Sequence, residues 1–354
     1  MSNPALVNLI NALDLKAIQA IEMHMDADRV RGLALRDVGL QTLPVEIGGL
    51  TDLEVLFIDG NELEALPTWL FELPNLREIS ADYNHLTTLP ADLGQLETLS
   101  IRSNRFETLP DVIWQTPTLK KLSVGGNRLK GVSADIGNLT HLTELYLDTS
   151  PLTQIPATIG NLTQLRILDL GHNQLAALPE TIFSLPHLEI LYASDQQLDT
   201  MPTAIGELHS LRYLNWTDNG LHRLPNEIGR LTNLRELRLY NNKLVTLPDT
   251  VANLVNLREL YLRNNPLERL PDDIGRLQQL RVLDCRNGHL AAIPDQVAML
   301  YSLTDLDLRA NRFVSVPDGV AVLPALQKLD LRWNKLLIRP NWLTTLAQQG
   351  IAFL

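Results

Sequence analysis

The chain has 354 residues, 45% of them apolar and 20% charged, with 30 Lys and Arg against 41 Asp and Glu, so its formal net charge is −11. A net-negative chain without a basic block lacks the clustered cations that neutralise phosphates, which sets nucleic acid aside as a partner; its one cysteine, Cys285, excludes an intramolecular disulfide and a cysteine-rich metal site. No positive charge precedes Lys16 and no run approaches the roughly 18 apolar residues of a membrane span, so neither a secretory signal nor a membrane partner is expected.

At the front, Asn3 and Pro4 can start a helix that carries Leu6, Leu9, Ile10 and Leu13 on one face. Asp14 can start a second, carrying Leu15, Ile18, Ile21 and Met25. Residues 1–29 are therefore expected to form a helical N-terminal cap. A membrane-surface helix would want a polar face rich in Lys and Arg, and only Lys16 precedes Arg29.

From Val30 the chain repeats itself. Leu234–Asn256 reads LRELRLYNNKLVTLPDTVANLVN and Leu257–Gln279 reads LRELYLRNNPLERLPDDIGRLQQ, which share the frame LxxLxLxxNxLxxLPxxIGxLxx with a period of 23. The frame begins fourteen times between Val30 and Leu326, thirteen times with 23 residues and once, at Leu76–Gln95, with 20. Residues 30–348 thus form one array, with a short tail, 349–354, behind it. The alternating LxLxx segment predicts a short strand with one buried face, and stacked copies predict a parallel sheet. Asn fills the ninth position in ten repeats, where an amide can satisfy turn groups of neighbouring repeats. Proline at the fifteenth, absent only at Ser133, followed by an acid, predicts a short helical turn with Pro in its first position. Much of the negative charge is placed by those turns.

This frame resembles the leucine-rich repeat family, specifically the Leu-Pro-x-x-Ile-Gly type of bacterial proteins and Roco-type GTPases. The resemblance implies an α/β solenoid: a curved horseshoe with a parallel β-sheet on its concave side and short helical turns and loops on its convex side. Extracellular members usually carry cysteine-clamped caps, so the resemblance also implies a cytoplasmic protein. The GTPase signature GxxxxGK[ST] of some relatives is missing, as are HExxH and GxSxG. No His pair has ligand spacing, so no cofactor, metal or catalytic residue is assigned. Cys285 and Trp216 fall in the inward sixth column, Trp216 one repeat after Ala193, as core packing requires.

On each strand the third, fifth, seventh and eighth positions are expected to point out from the sheet, free of any demand from the fold. Repeats four and five place Thr98, Ser100, Arg102, Ser103, Lys121, Ser123, Gly125 and Gly126 there, beside the short repeat and the missing proline. That stretch reads either as a hollow between Tyr83 and Tyr146 or as a non-binding region, and the three-residue deletion predicts a change of bend or twist near 91–99. Six of the seven tyrosines lie in the outward columns: Tyr83, Tyr146, Tyr192, Tyr213, Tyr240 and Tyr261. Four of them, from Tyr192 to Tyr261, occupy consecutive repeats beside Asp195, Asn215, Asp218, Glu236, Arg238, Asn241, Glu259 and Arg263. Tyr and Arg are the side chains that anchor protein interfaces.

Beyond them Arg263, Arg286, Arg309 and Arg332 share the seventh column and Asp284, Asp307 and Asp330 the fifth, ending at Trp333. Two readings stay open: a self-satisfied ion ladder, or a strip that recognises an acidic ligand. Trp342, Leu343, Leu346, Ile351, Phe353 and Leu354 are expected to close the array. The reading reached is a monomeric, non-enzymatic scaffold that binds another protein on its concave face. Its rivals are an injected bacterial effector acting in host cytosol, an accessory module of an enzyme complex, and self-association through the same face.

Overall fold

The computed structural model describes residues 4–13 and 21–353. Two compact units follow one another along the chain, Met1–Gln174 and Leu175–Leu354.

In the first unit, helix α1 (Pro4–Ala12) buries Leu6 and Leu9, with Leu13 buried just after it. Its Ala5 lies so close to Gly49 that a Cβ on that glycine would sit 3.1 Å from the alanine methyl. The expected second cap helix is different in its described part. Residues 14–20 lie outside the described residues, and β1 (Glu22–Asp26) is a strand, antiparallel to β2 (Arg29–Ala34) with a bulge between His24 and Met25. Ile21 and Met25 are spaced like one helical face, but the backbone groups on the open side of β2 need partners, and a strand supplies them.

Parallel pairing then continues through β3 (Val55–Phe57), β4 (Glu78–Ser80), β5 (Thr98–Ser100), β6 (Lys121–Ser123), β7 (Glu144–Tyr146) and β8 (Ile167–Asp169). The second unit repeats the pattern with β9 (Ile190–Tyr192), β10 (Tyr213–Asn215), β11 (Glu236–Arg238), β12 (Glu259–Tyr261), β13 (Val282–Asp284), β14 (Asp305–Asp307) and β15 (Lys328–Asp330). Each strand pairs with the residues one repeat away, for example Leu237 with Leu260, so like columns stack on like. The architecture is a leucine-rich repeat solenoid with a mainly parallel sheet.

The core follows from the frame. In the repeat from Leu234, the residues Leu234, Leu237, Leu239, Leu244, Leu247, Val251 and Leu254 are all 4% exposed or less. The asparagine column is mostly buried, and its amides are bonded between repeats. The Asn242 side chain accepts from the Leu221 N–H at 3.0 Å and donates to the carbonyls of Trp216 and Leu239, both at 2.9 Å, tying one repeat to the previous one.

The turns opposite the strands are 3₁₀, five residues each, as at Asp249–Asn253. Contrary to the expectation, proline does not begin them but caps them: Pro248 is extended (φ −68°, ψ 148°), and the acid comes next. At the missing proline the Ser133 hydroxyl takes over, accepting from the Asp135 N–H at 3.2 Å. The short repeat has no such turn. Gly94 instead adopts φ +59° and the Asp92 carboxylate caps its N–H at 2.8 Å, so three residues are removed by tightening the outer segment.

At the back, helix α2 (Asn341–Gln348) replaces the 3₁₀ turn and buries Leu343. Behind it β16 (Ala352–Phe353) pairs with Leu329 and Asp330, one full period earlier, so the tail read as a cap continues the sheet. Trp342 donates from Nε1 to Asp318 at 2.7 Å, and Phe353 is half-exposed; Leu354 lies outside the described residues.

Candidate protein-binding face

The outward columns are not equally free. In all fourteen repeats the eighth position takes a left-handed backbone, φ between +51° and +70°. Sterics make that conformation unfavourable for most residues with a Cβ and tolerable for Gly, Asn and Asp. The expectation that no demand of the fold sets this column is therefore corrected. Asp195, Asp218 and Asn241 stand where the backbone needs such a residue. Three of the amides also bond to one another: Asn241 donates to Asp218 at 2.5 Å, Asn264 donates to Asn241, and Asn287 donates to Asn264 at 2.7 Å. Asn264 and Asn287 were not singled out in the sequence, although their spacing of one repeat was visible. Tyr83, Thr149, His172 and Trp333 occupy the same position without that excuse.

The third, fifth and seventh columns of the second unit carry the aromatic cluster. Tyr192 and Tyr213 lie with ring centroids 4.8 Å apart, tilted at 46°. Register puts Tyr213 beside Glu236 and Asn215 beside Arg238, and then Arg238 beside Tyr261. The Arg238 guanidinium is 5.4 Å from both the Tyr213 and the Tyr261 ring centres, and its Nε donates to Glu236 at 2.5 Å. Tyr261 donates its hydroxyl to Glu259 at 2.6 Å. Arg263 lies over Tyr240 at 4.2 Å. Burial pushes the hydroxyls of Tyr213 and Tyr261 above the ordinary tyrosine value, so both remain donors at neutral pH. Of the predicted residues, Tyr192, Tyr213, Tyr240, Tyr261, Glu236, Arg238, Glu259 and Arg263 form this half-buried cluster. Asn215 is buried and bonded to the Thr217 N–H, which removes it from the surface. Trp333 is 73% exposed at the far end of the arginine column.

That column is largely an ion ladder. Arg309 holds Asp307 at 2.6 Å and reaches Asp330 at 3.3 Å, and Arg332 holds Asp330 at 2.6 Å. Asp330 is fully buried; burial alone would raise its pKa, but the hydrogen bonds from Arg332 and the charge of Arg309 hold it below the ordinary carboxylate value. Arg286 is held less closely, 3.4 Å from Asp284 and 3.7 Å from Asp307. Cys285, between these strands on the inner side, is buried, and that burial pushes its thiol pKa up.

In the first unit the small residues of repeats four and five make room for an ion pair. Arg102 reaches across the glycine of the next repeat to clamp Asp148 at 2.7 and 2.6 Å. A side chain on Gly125 would meet that carboxylate, its Cβ only 2.5 Å from Asp148 Oδ1. Glycine is there to let the ion pair through. Neighbouring Asp169 is pushed up to about 6, chiefly by burial, with Asp148 adding to it and the Gly171 N–H opposing it.

Among the described residues no group of three or more His, Cys, Asp or Glu could hold a metal ion, and no helix is long and apolar enough to cross a membrane. The arrangement offers contact surface, stacked aromatics and oriented guanidinium groups.

A family described as leucine-rich repeat region matches residues 130–211 and 250–338, and one described as leucine rich repeat matches 209–267. No curated protein matches the chain in sequence. Among solved structures, the chain resembles an internalin of Listeria monocytogenes at 20% identity, covering 99% of this chain and 95% of that one, with a TM-score of 0.72. It also resembles the Toll–Spatzle complex of Drosophila at 21% identity, covering 84% of this chain and 46% of that one, with a TM-score of 0.67. Both likenesses are of fold alone. A leucine-rich repeat protein of Leptospira interrogans is 32% identical over 91% of this chain and 94% of its own, with a TM-score of 0.80. Identity at that level along nearly the whole repeat frame makes this chain a member of the leucine-rich repeat family.

Proposed function

We propose that the chain is a monomeric, non-enzymatic cytoplasmic scaffold whose second unit binds a partner protein on the outward face of its sheet. The observation that carries this reading is the interlocked set of Tyr192, Tyr213, Arg238, Tyr261, Arg263 and Tyr240. Aromatic rings held half-buried by stacked guanidinium groups keep their contact surface while losing little freedom on binding, which favours them as interface anchors. The net charge of −11 supports a protein rather than a nucleic acid as the partner.

The test is a cross-linked pull-down comparing the wild-type chain with a variant carrying Tyr192→Ala, Tyr213→Ala, Tyr240→Ala and Tyr261→Ala. A partner retained by the wild type should be lost by about tenfold or more in the variant, since one desolvated anchor contributes ~2 kcal/mol. A partner displaced only by changes in the outer turns, Glu227→Lys or Asp272→Lys, would overturn the assignment.

A further inference from the structure

Strands β13, β14 and β15 each carry an aspartate in the fifth column and an arginine two residues on, so Arg286, Arg309 and Arg332 each have an acid on their own strand. Strand β12 breaks the pattern. Its fifth column holds Tyr261, so Arg263 has no fifth-column acid on its own strand, and the charge of Asp284 reaches it only from the adjacent strand, without an ion pair. Among the described residues Arg263 makes no ion pair; its guanidinium rests on Tyr240 and its Nε–H is buried with no hydrogen-bond partner. A buried donor in that state is uncommon and is a place for an acceptor to arrive. Next to it, Arg286 stands at ion-pair distance from two carboxylates without a close contact to either, in contrast to the 2.6 Å grip of Arg309 and Arg332.

These groups line one hollow of about 330 Å³, formed by Arg263, Asn264, Arg286, Asn287, Arg309 and Trp333. Four arginines against three aspartates leave the column with one cation in excess, and the pairing places it at Arg263. At the other end Trp333 exposes its indole from a left-handed backbone (φ +64°), a conformation that gives a tryptophan no benefit within the fold.

We propose that Arg263 and Arg286 capture one anionic group of the partner polypeptide, a carboxylate or a phosphoryl group, and that Trp333 is the apolar ledge for a neighbouring residue of that partner. The inference rests on the reading of this face as protein-binding and names the chemistry of the bound segment. Two adjacent planar guanidinium groups with unused N–H donors match paired anionic oxygens, and a partly desolvated site strengthens the contact. Arg309 is already committed to Asp307 and serves as the wall, not the receptor.

Four short peptides serve as probes, titrated while the arginine Nε–H resonances are followed: acetyl-Leu-Xaa-Leu-amide with glutamate, phosphoserine or glutamine in the middle, and the glutamine peptide with a free C-terminal carboxylate. At least one anionic peptide should shift the Arg263 resonance to saturation, and the glutamine amide should need about tenfold more or fail to saturate. Which anionic peptide binds best identifies the group as a side-chain carboxylate, a chain terminus or a phosphoryl group. Arg263→Gln and Arg286→Gln should each weaken that peptide about tenfold, with Arg263→Lys intermediate because it keeps the charge and loses the fork, whereas Arg309→Gln should change it less than about threefold. Circular dichroism confirms that each variant is folded; if one is not, the remaining three comparisons decide. Equal response to the glutamine amide, an Arg309→Gln loss as large as that of Arg263→Gln, or tighter binding of a uridine oligonucleotide than of any peptide would overturn the proposal. A partner that needs the four tyrosines and ignores Arg263→Gln sinks this inference alone. One that ignores the tyrosines sinks the broader reading, while the peptide titration still stands.

Discussion

A single carboxyl sets a pH dependence in the first unit. Asp169 faces Asp148, Arg102 and His172, and burial raises its pKa to about 6. Because that value lies above the one an unfolded chain would show, the folded state holds the proton more tightly. Stability is therefore greatest below pH ~4 for this group, falls as pH rises through about 4 to 6, and stays reduced above. Asp169→Asn keeps an oxygen for the Gly171 N–H and removes the charge. It should stabilise the protein by about 1–2 kcal/mol at pH 7.5, after discounting for partial exposure, and the gain should vanish near pH 4. Denaturant titrations at both pH values check it; an equal gain at both would show that charge is not the cause. The eighth column gives a second residue-scale prediction. Ala310 sits at φ +51°, one repeat beyond Asn287. Ala310→Asn suits that backbone and can donate to the Asn287 side chain, extending the amide ladder. A gain of about 1 kcal/mol in thermal or denaturant unfolding is expected, and a loss would mean that the ladder does not stabilise.

At the scale of the turn, the short repeat depends on Gly94. A Cβ there would lie 2.6 Å from the Phe71 carbonyl oxygen, at a left-handed φ of +59°. Gly39 is also left-handed, at φ +77°, yet a Cβ on it meets nothing within 4 Å. Gly94→Ala should therefore destabilise by about 2 kcal/mol or more and Gly39→Ala by only about 1, measured by parallel denaturant curves; equal losses would put the whole effect in the backbone angle. These elements also show what a sequence discloses. The Leu columns, the Asn ladder and the Pro-acid turns were legible because each rests on one residue type recurring at a fixed period. The eighth column was not, since Asp, Asn, Gly, Ser, Thr, His, Ala, Tyr and Trp all occupy it and only the backbone angle is shared. Strand β1 was hidden by a four-residue apolar spacing that belongs equally to a helix. The two readings of repeats four and five stay undecided in the sequence because the group that crosses the stretch, Arg102, arrives from a strand two repeats from its partner Asp148. Of the candidate site, the tyrosines and their arginines were visible from residue type and column. The burial of Asn215 and the solitary state of Arg263 depend on three-dimensional pairing.

Across the whole molecule, each repeat contacts mainly its neighbours, so damage should spread locally. Leu237 is fully buried in β11. Leu237→Ala should destabilise by about 2–5 kcal/mol, and hydrogen exchange should accelerate most in β10, β11 and β12, and little in β3 to β6. Acceleration of the same size throughout would show that the chain opens as one body. The uniform left-handed eighth position carries a further consequence for how such a surface changes over time. Where the third, fifth and seventh outward residues are neither buried nor ion-paired a repeat can rewrite them at little structural penalty, whereas at the eighth a side chain other than Gly, Asn or Asp carries the cost of a left-handed backbone. A new specificity is therefore composed most cheaply in three letters per repeat rather than four. Where a bulky residue nonetheless holds the fourth place, as Tyr83 and Trp333 do, its large exposed surface is set against the cost of the turn.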